Sequence, residues 1–151
     1  MFRFFRTGKE ERMITKDELE QAMAKFLEKN ASIVYTVLVN EDYTVNYDLL
    51  KPYLPAFPTN TFIITKETLE VFEHTLENIE LVKEIDVVQR AVDQYVTEKE
   101  RFPVVEDDAD RLICGMKLAP YLERVLKRKL YISEKHYLVS SQPDKSKKNI
   151  V

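Results

Sequence analysis

Imidazole and thiol chemistry in this chain is confined to His74, His136 and Cys114, two histidines and one cysteine among 151 residues. A structural zinc site needs four such ligands, usually in short pairs, and a Cys/His nucleophile needs its base within hydrogen-bond reach. Local spacing offers neither, so no catalytic, cofactor-binding or metal-binding residue is assigned, and the reading favours a protein that is not an enzyme. Cys114, inside "LICGM", reads as a small buried hydrophobe. The acidic run "EDDAD" at 106–110 presents carboxylate oxygens. It lacks the turn glycine and the later bidentate glutamate of a calcium loop, and a solvated acidic loop is expected.

Two cationic groups remain. "RVLKRK" gathers Arg124, Lys127, Arg128 and Lys129 within six residues, a candidate anion contact. Glu123 and Glu134 lie nearby, and the simpler expectation is a charged exterior face. At the start of the chain, Phe2, Phe4 and Phe5 are interleaved with Arg3 and Arg6. Aromatic rings insert shallowly into an interface while cations meet headgroups, so this segment is a candidate contact for a partner protein or a membrane surface. The competing reading folds the phenylalanines back onto the domain. Eight tyrosines are the last chemical resource: Tyr35, Tyr43 and Tyr47 are expected to cluster across a hairpin, with a tyrosine-lined cleft as the secondary reading.

Several function classes fall away on composition. Only Gly8 and Gly115 are glycines, and phosphate-cradling loops need several, because their amides must approach the anion closely with φ > 0. A net charge of −3 and a pI near 5.5 lack the basic excess of a nucleic-acid binder, so nucleic acid is not an expected partner. No apolar run approaches the ~18 residues that span a bilayer, and "MFRFFRTGKEERM" has no apolar centre of a secretory signal. One cysteine fits a reducing compartment, and a cytoplasmic location is expected.

The elements that must position these residues follow from periodicity. Thr15 with Glu18 forms a capping box, and Leu19, Ala22, Met23, Phe26 and Leu27 follow at helical spacing, predicting a helix over about 16–29. "SIVYTVLVNEDYTVNY" predicts a hairpin about its polar turn. Asp48 is expected to cap a short helix carrying "LLKPYL", which Pro55 and Pro58 stop. "TFIIT" predicts a strand, after which Thr65 is expected to cap a second helix through Leu69, Phe72 and Leu76. Ile85, Val88, Ala91, Val92, Tyr95 and Val96 form the stripe of a third helix over about 84–99, ending before Phe102–Pro103. "KLAPYL", "KLYIS" and "HYLVS" then predict a short helix and two strands.

"LKPYLPAFPTNTFIITKE" at 50–67 and "LAPYLERVLKRKLYISEK" at 118–135 align without a gap, sharing Leu50/Leu118, Pro52/Pro120, Tyr53/Tyr121, Leu54/Leu122 and Ile64/Ile132. Upstream, "AMAKFL" and "AVDQYV" correspond with one residue of extra spacing. One such unit of ~50 residues has too little core to stand alone, which is a physical reason to expect two related halves, about 16–67 and 84–140, sharing a core. The expected fold is α+β: a single domain over 14–141 with short antiparallel strands and about three substantial helices. The N-terminal segment 1–13 precedes it, and a tail at 142–151 is expected to be disordered from its polar composition.

"YTVLVNEDYTVNYDLLKPYL", "TFIITKETLEVFE", "IDVVQRAVDQYV", "FPVVEDD" and "LYISEKHYLVS" together resemble a small uncharacterised cytoplasmic family of low-GC Gram-positive bacteria, over about 14–140. That resemblance implies no activity, cofactor or site residue. A weaker likeness, Tyr95 followed by Phe102–Pro103 and "LAPYL", is similar to the soluble part of type II secretion pseudopilins and implies related packing only. The expected function is a protein-interaction or regulatory module whose partner is another protein, with homodimerisation as one form of it. The alternatives are a small-molecule-binding sensory module built on a tyrosine-lined cleft, and peripheral membrane contact through the N-terminal segment.

Overall fold

Thr15 and Glu18 close the predicted capping box: the Thr15 hydroxyl accepts the Glu18 N–H at 3.1 Å and the Glu18 carboxylate accepts the Thr15 N–H at 3.0 Å. Helix α1 runs from there over Lys16–Lys29. The computed structural model describes residues 10–144, and the chain divides between Val82 and Lys83 into two compact units. The N-terminal segment carrying Phe2, Arg3, Phe4, Phe5 and Arg6 lies outside the described residues.

In the first unit, α1 buries Leu19, Ala22, Met23 and Phe26 in a cluster with Leu38, Val45, Leu50, Leu54, Phe62, Ile64 and Val71. Strand β1 (Glu11–Arg12) pairs in parallel with β2 (Phe57–Pro58). Asn60 fixes the chain entering α1: its side chain accepts the Ile14 N–H at 2.9 Å and donates to the Ile14 carbonyl at 3.0 Å. Helix α2 (Tyr47–Leu50) runs into a 3-10 turn at Lys51–Tyr53. Asn46 precedes α2, so Asp48 lies inside its first turn, 3.6 Å from Lys51, and is not the cap.

Two local expectations give way here. The predicted hairpin reduces to one bridge, Val39 with Val45, and Tyr35–Leu38 form a 3-10 helix. Thr65 caps no helix: strand β3 (Phe62–Ile64) turns through 65–70 and pairs antiparallel with β4 (Val71–Glu73). The buried Thr65 hydroxyl accepts the Glu70 N–H at 2.8 Å, and Leu69 takes φ 57° to close the turn. A tight turn with a left-handed residue won over a weak helical period.

Helix α3 spans Leu76–Lys99, starting earlier than its apolar stripe because Thr75 accepts the Asn78 N–H at 3.1 Å. Among the described residues two helices, α1 and α3, are therefore substantial, where about three were expected. In the second unit Ile85, Val88, Ala91, Val92 and Tyr95 are buried, as are Ile113, Leu118, Leu130, Ile132 and Val139. Helix α4 (Gly115–Leu118) leads into a 3-10 turn at Ala119–Tyr121, and β5 (Tyr131–Ile132) pairs antiparallel with β6 (Val139–Ser140). Gln89, itself buried, accepts the Val139 N–H at 2.7 Å and so ties β6 to α3. The architecture is mixed α+β with short, mainly antiparallel strands.

Bonds of the first unit have counterparts in the second at the offset that aligns Leu50 with Leu118. The Ile64 N–H donates to Tyr43 O at 2.8 Å, and the Ile132 N–H to Arg111 O at 3.1 Å. The Val45 N–H donates to Phe62 O, and the Ile113 N–H to Leu130 O. Thr65 bonds across its turn to Glu70 O, and Ser133 to Leu138 O. Tyr43 and Arg111 both have positive φ, as do Leu69 and Tyr137.

Candidate interaction surfaces

Leu122 to Leu130 form the loop between the 3-10 turn after α4 and β5, and it carries every residue of the basic run. One carboxylate on α3 holds it. Glu84 Oε1 lies 2.6 Å from Arg128 Nη1, and Glu84 Oε2 accepts the Lys127 N–H at 2.9 Å. A charge-assisted bond between partly buried groups is stronger than an exposed ion pair, so Arg128 anchors the loop and is not free to meet an anion. Arg124, Lys127 and Lys129 are exposed and form no ion pair among the described residues. Val125 between them is 87% exposed.

The acidic run is occupied in turn formation. Asp108 accepts the Leu112 N–H at 3.0 Å through one oxygen and the Asp110 N–H at 3.3 Å through the other, while Asp107 takes φ 61°. Lys117 reaches the Val104 carbonyl at 2.9 Å and Glu106 at 3.4 Å. Among the described residues no group of three or more His, Cys, Asp or Glu is placed to hold a metal ion. His74 is exposed and follows β4, where a helix had been predicted, and His136 is exposed in the turn between β5 and β6. Cys114 is half-buried at the start of α4, less enclosed than a core hydrophobe.

The tyrosines are spread through the fold and do not cluster across the predicted hairpin. Tyr47 donates to Asn60 O at 3.0 Å, and burial holds its phenol above the usual range. Tyr53 packs edge-on against Phe26. Lys66 sits over the Tyr43 ring, 4.5 Å from its centre. Tyr35 donates to Glu67 O at 3.5 Å, and Tyr121 to Glu98 at 2.6 Å.

Two features escaped the sequence. Ile33, Val34, Tyr35 and Val37 are exposed in succession, Val34 by 64%, with only Leu38 of that stretch buried. Six of seven positions over 33–39 are apolar, so one buried strand face was never able to hide them all; the lack of alternation was the available signal. The second is a stack in the latter unit: the Arg111 guanidinium lies 5.1 Å from the centre of Phe102, whose other contact is the parallel ring of Tyr137 at 5.5 Å. Arg111 Nε donates to Ile132 O at 3.0 Å, and its buried Nη2 has no hydrogen-bond partner among the described residues. The ring contact offsets part of that loss.

Among the described residues, no helix is long and apolar enough to cross a membrane. The family model described as Protein of unknown function (DUF3939) matches residues 9–141, and the chain belongs to that family. No curated protein and no solved structure matches the chain.

Proposed function

We infer that this member of a family of unknown function is a non-enzymatic cytoplasmic protein that works by binding another protein. The observation that carries this reading is the exposed apolar run Ile33, Val34, Tyr35 and Val37 in the first unit. Apolar side chains scattered singly on a surface are ordinary, but adjacent ones keep water ordered that a partner would release. Tyrosine among aliphatic side chains is also the composition of an interface centre. The use made of the carboxylates supports a non-enzyme: Glu84 holds a loop, Asp108 a turn and Glu98 a tyrosine hydroxyl. The recurrence of turn bonds at one offset supports reading the two units as copies of one element.

The test is affinity capture from source-cell extract with the intact chain and with Val34→Asp/Val37→Asp, followed by titration of the purified partner. Both positions are exposed, so the variant should melt as the parent does. The expected result is a partner bound at least tenfold more weakly by the variant. Equal binding by both proteins overturns the reading.

A further inference from the structure

Residues 122–130 belong to no helix or strand, and none of 123–129 enters a backbone–backbone hydrogen bond among the described residues. One side chain stands in for the missing ladder: Glu84 accepts the Lys127 N–H at 2.9 Å and lies 2.6 Å from Arg128 Nη1. Upstream of that clasp, Glu123, Arg124 and Val125 are exposed, and no hydrogen bond or ion pair holds them among the described residues. The chain is fixed again on both sides. The Leu122 N–H donates to Ala119 O at 3.1 Å, and the buried Leu130 accepts the Ile113 N–H at 2.9 Å. An exposed segment with unpaired backbone opens at little cost, and such segments are where proteases nick folded chains.

The sequence of the segment supplies the specificity, because Arg124 and Lys127 are exposed basic residues within it. Comparable side chains elsewhere stand on held backbone. Lys25 and Lys99 lie in α1 and α3, and Lys135 lies in the β5–β6 turn, where its N–H donates to the Ser133 hydroxyl at 3.2 Å. Arg101 precedes Phe102, which is stacked on Tyr137, and the buried Pro103.

We propose that this segment is an endoproteolytic site for a protease that takes a basic residue on the acyl side of the scissile bond. The Arg124–Val125 bond is open to it, and Glu84 shields the Lys127–Arg128 bond. This modification is separate from the partner binding inferred above. Hydrolysis breaks the link between the Arg124 carbonyl carbon and the Val125 nitrogen. One water gives its hydroxyl to the carbon and its hydrogen to the nitrogen, and the new acid then passes its proton to the new amine. Cleavage after Lys127 requires more, since an extended substrate gives its backbone bonds to the protease. The Lys127 N–H and the Arg128 side chain must both leave Glu84 first. Cutting at Arg124 leaves the second unit assembled. Beyond it the Ile132 N–H still donates to Arg111 O at 3.1 Å and the Val139 N–H to Gln89 at 2.7 Å, with Leu130, Ile132 and Val139 buried.

The experiment is limited digestion of the folded full chain by trypsin, and separately by a lysine-specific endoprotease, with cut sites read by intact-fragment mass spectrometry. Within residues 10–144, the first tryptic cut is expected after Arg124, and the two fragments should co-elute until urea is added. Arg124→Gln should slow that first cut at least about tenfold with unchanged melting, because the side chain is exposed. The lysine-specific cut after Lys127 should be slow in the parent. Glu84→Ala should speed it about tenfold, as expected when charge-assisted bonds no longer oppose opening. Arg128→Gln, which leaves α3 untouched, should move it in the same direction. Three results overturn the proposal. The first tryptic cut within 10–144 falls elsewhere; the fragments separate without denaturant; or neither Glu84→Ala nor Arg128→Gln speeds the cut after Lys127.

Discussion

Tyr95 and Tyr121 meet edge to face, their ring centres 5.7 Å apart and their planes at 77°. Phe26 and Tyr53 in the first unit make the same contact at 6.2 Å and 80°. In each pair the helix supplies the buried ring, Tyr95 at 3% exposure and Phe26 at 5%, and the Pro-Tyr-Leu turn supplies the other. Removing the buried ring forfeits its transfer energy and leaves a void that packed neighbours only partly fill. Tyr95→Ala and Phe26→Ala should each cost about 3–5 kcal/mol, read by urea denaturation. A loss below about 1 kcal/mol at either position would mean that the ring is not a core anchor.

The Tyr121 hydroxyl, donating to Glu98 at 2.6 Å, makes stability fall at alkaline pH. Its bond to the Glu98 carboxylate, joined by burial and by that carboxylate's charge, holds the phenol above its usual range. A proton bound more tightly in the folded state favours folding below the unfolded pKa, near 10, and that contribution is lost as pH rises through the folded value. Ultraviolet titration of the intact chain minus Tyr121→Phe should show this phenol ionising late. Glu98→Gln should bring it back down; an unmoved midpoint would remove Glu98 as the cause.

At the other end of the scale, Glu18 is held below the usual carboxylate range. Its hydrogen bond from Arg12 is the leading cause, and the Thr15 N–H adds to it. Here the folded pKa is depressed, so the contribution is present above the unfolded value near 4.3 and lost as pH falls through the folded one. A carboxyl NMR titration should find Glu18 ionising early, and Arg12→Ala should raise its midpoint. Thr15→Ala should remove the cap and cost about 1 kcal/mol at neutral pH. If Arg12→Ala leaves the Glu18 midpoint in place, the ion pair is not what shifts it.

Helix α1 was legible to the residue because its start is written in two side chains, Thr15 and Glu18, three positions apart. The turn after β3 was not, because its left-handed position is Leu69, a residue that reads equally as part of a helical stripe. Glycine ordinarily marks such positions, but among the described residues Tyr43, Leu69, Glu100, Asp107, Arg111 and Tyr137 take positive φ instead. Tyr43 concealed the failure of the hairpin in the same way. The grip of Glu84 on the basic loop was invisible for another reason. Glu84 and Arg128 are brought together by folding, so the run "RVLKRK" looked like four equivalent cations when one of them is an anchor.

That absence of glycine leaves a gain within reach at the end of α3. Glu100 follows the last helical residue, Lys99, takes φ 58° and donates its N–H to Val96 O at 2.8 Å, the position where helices most often place glycine. A side chain there crowds the following carbonyl, at about 1–2 kcal/mol. Glycine relieves the crowding but gives the unfolded chain extra freedom, offsetting about 0.4–1 kcal/mol. Glu100 is exposed and joins no ion pair among the described residues, so nothing else is lost. Glu100→Gly should therefore stabilise the protein by about 0.5–1 kcal/mol, raising Tm by roughly 1–4 °C in a chain of this size. Glu100→Ala, which keeps a Cβ, should not. Lys99→Gly, one residue earlier and still helical, should destabilise by a comparable amount. If the two glycine variants shift Tm in the same direction, the left-handed cap is not what terminates α3.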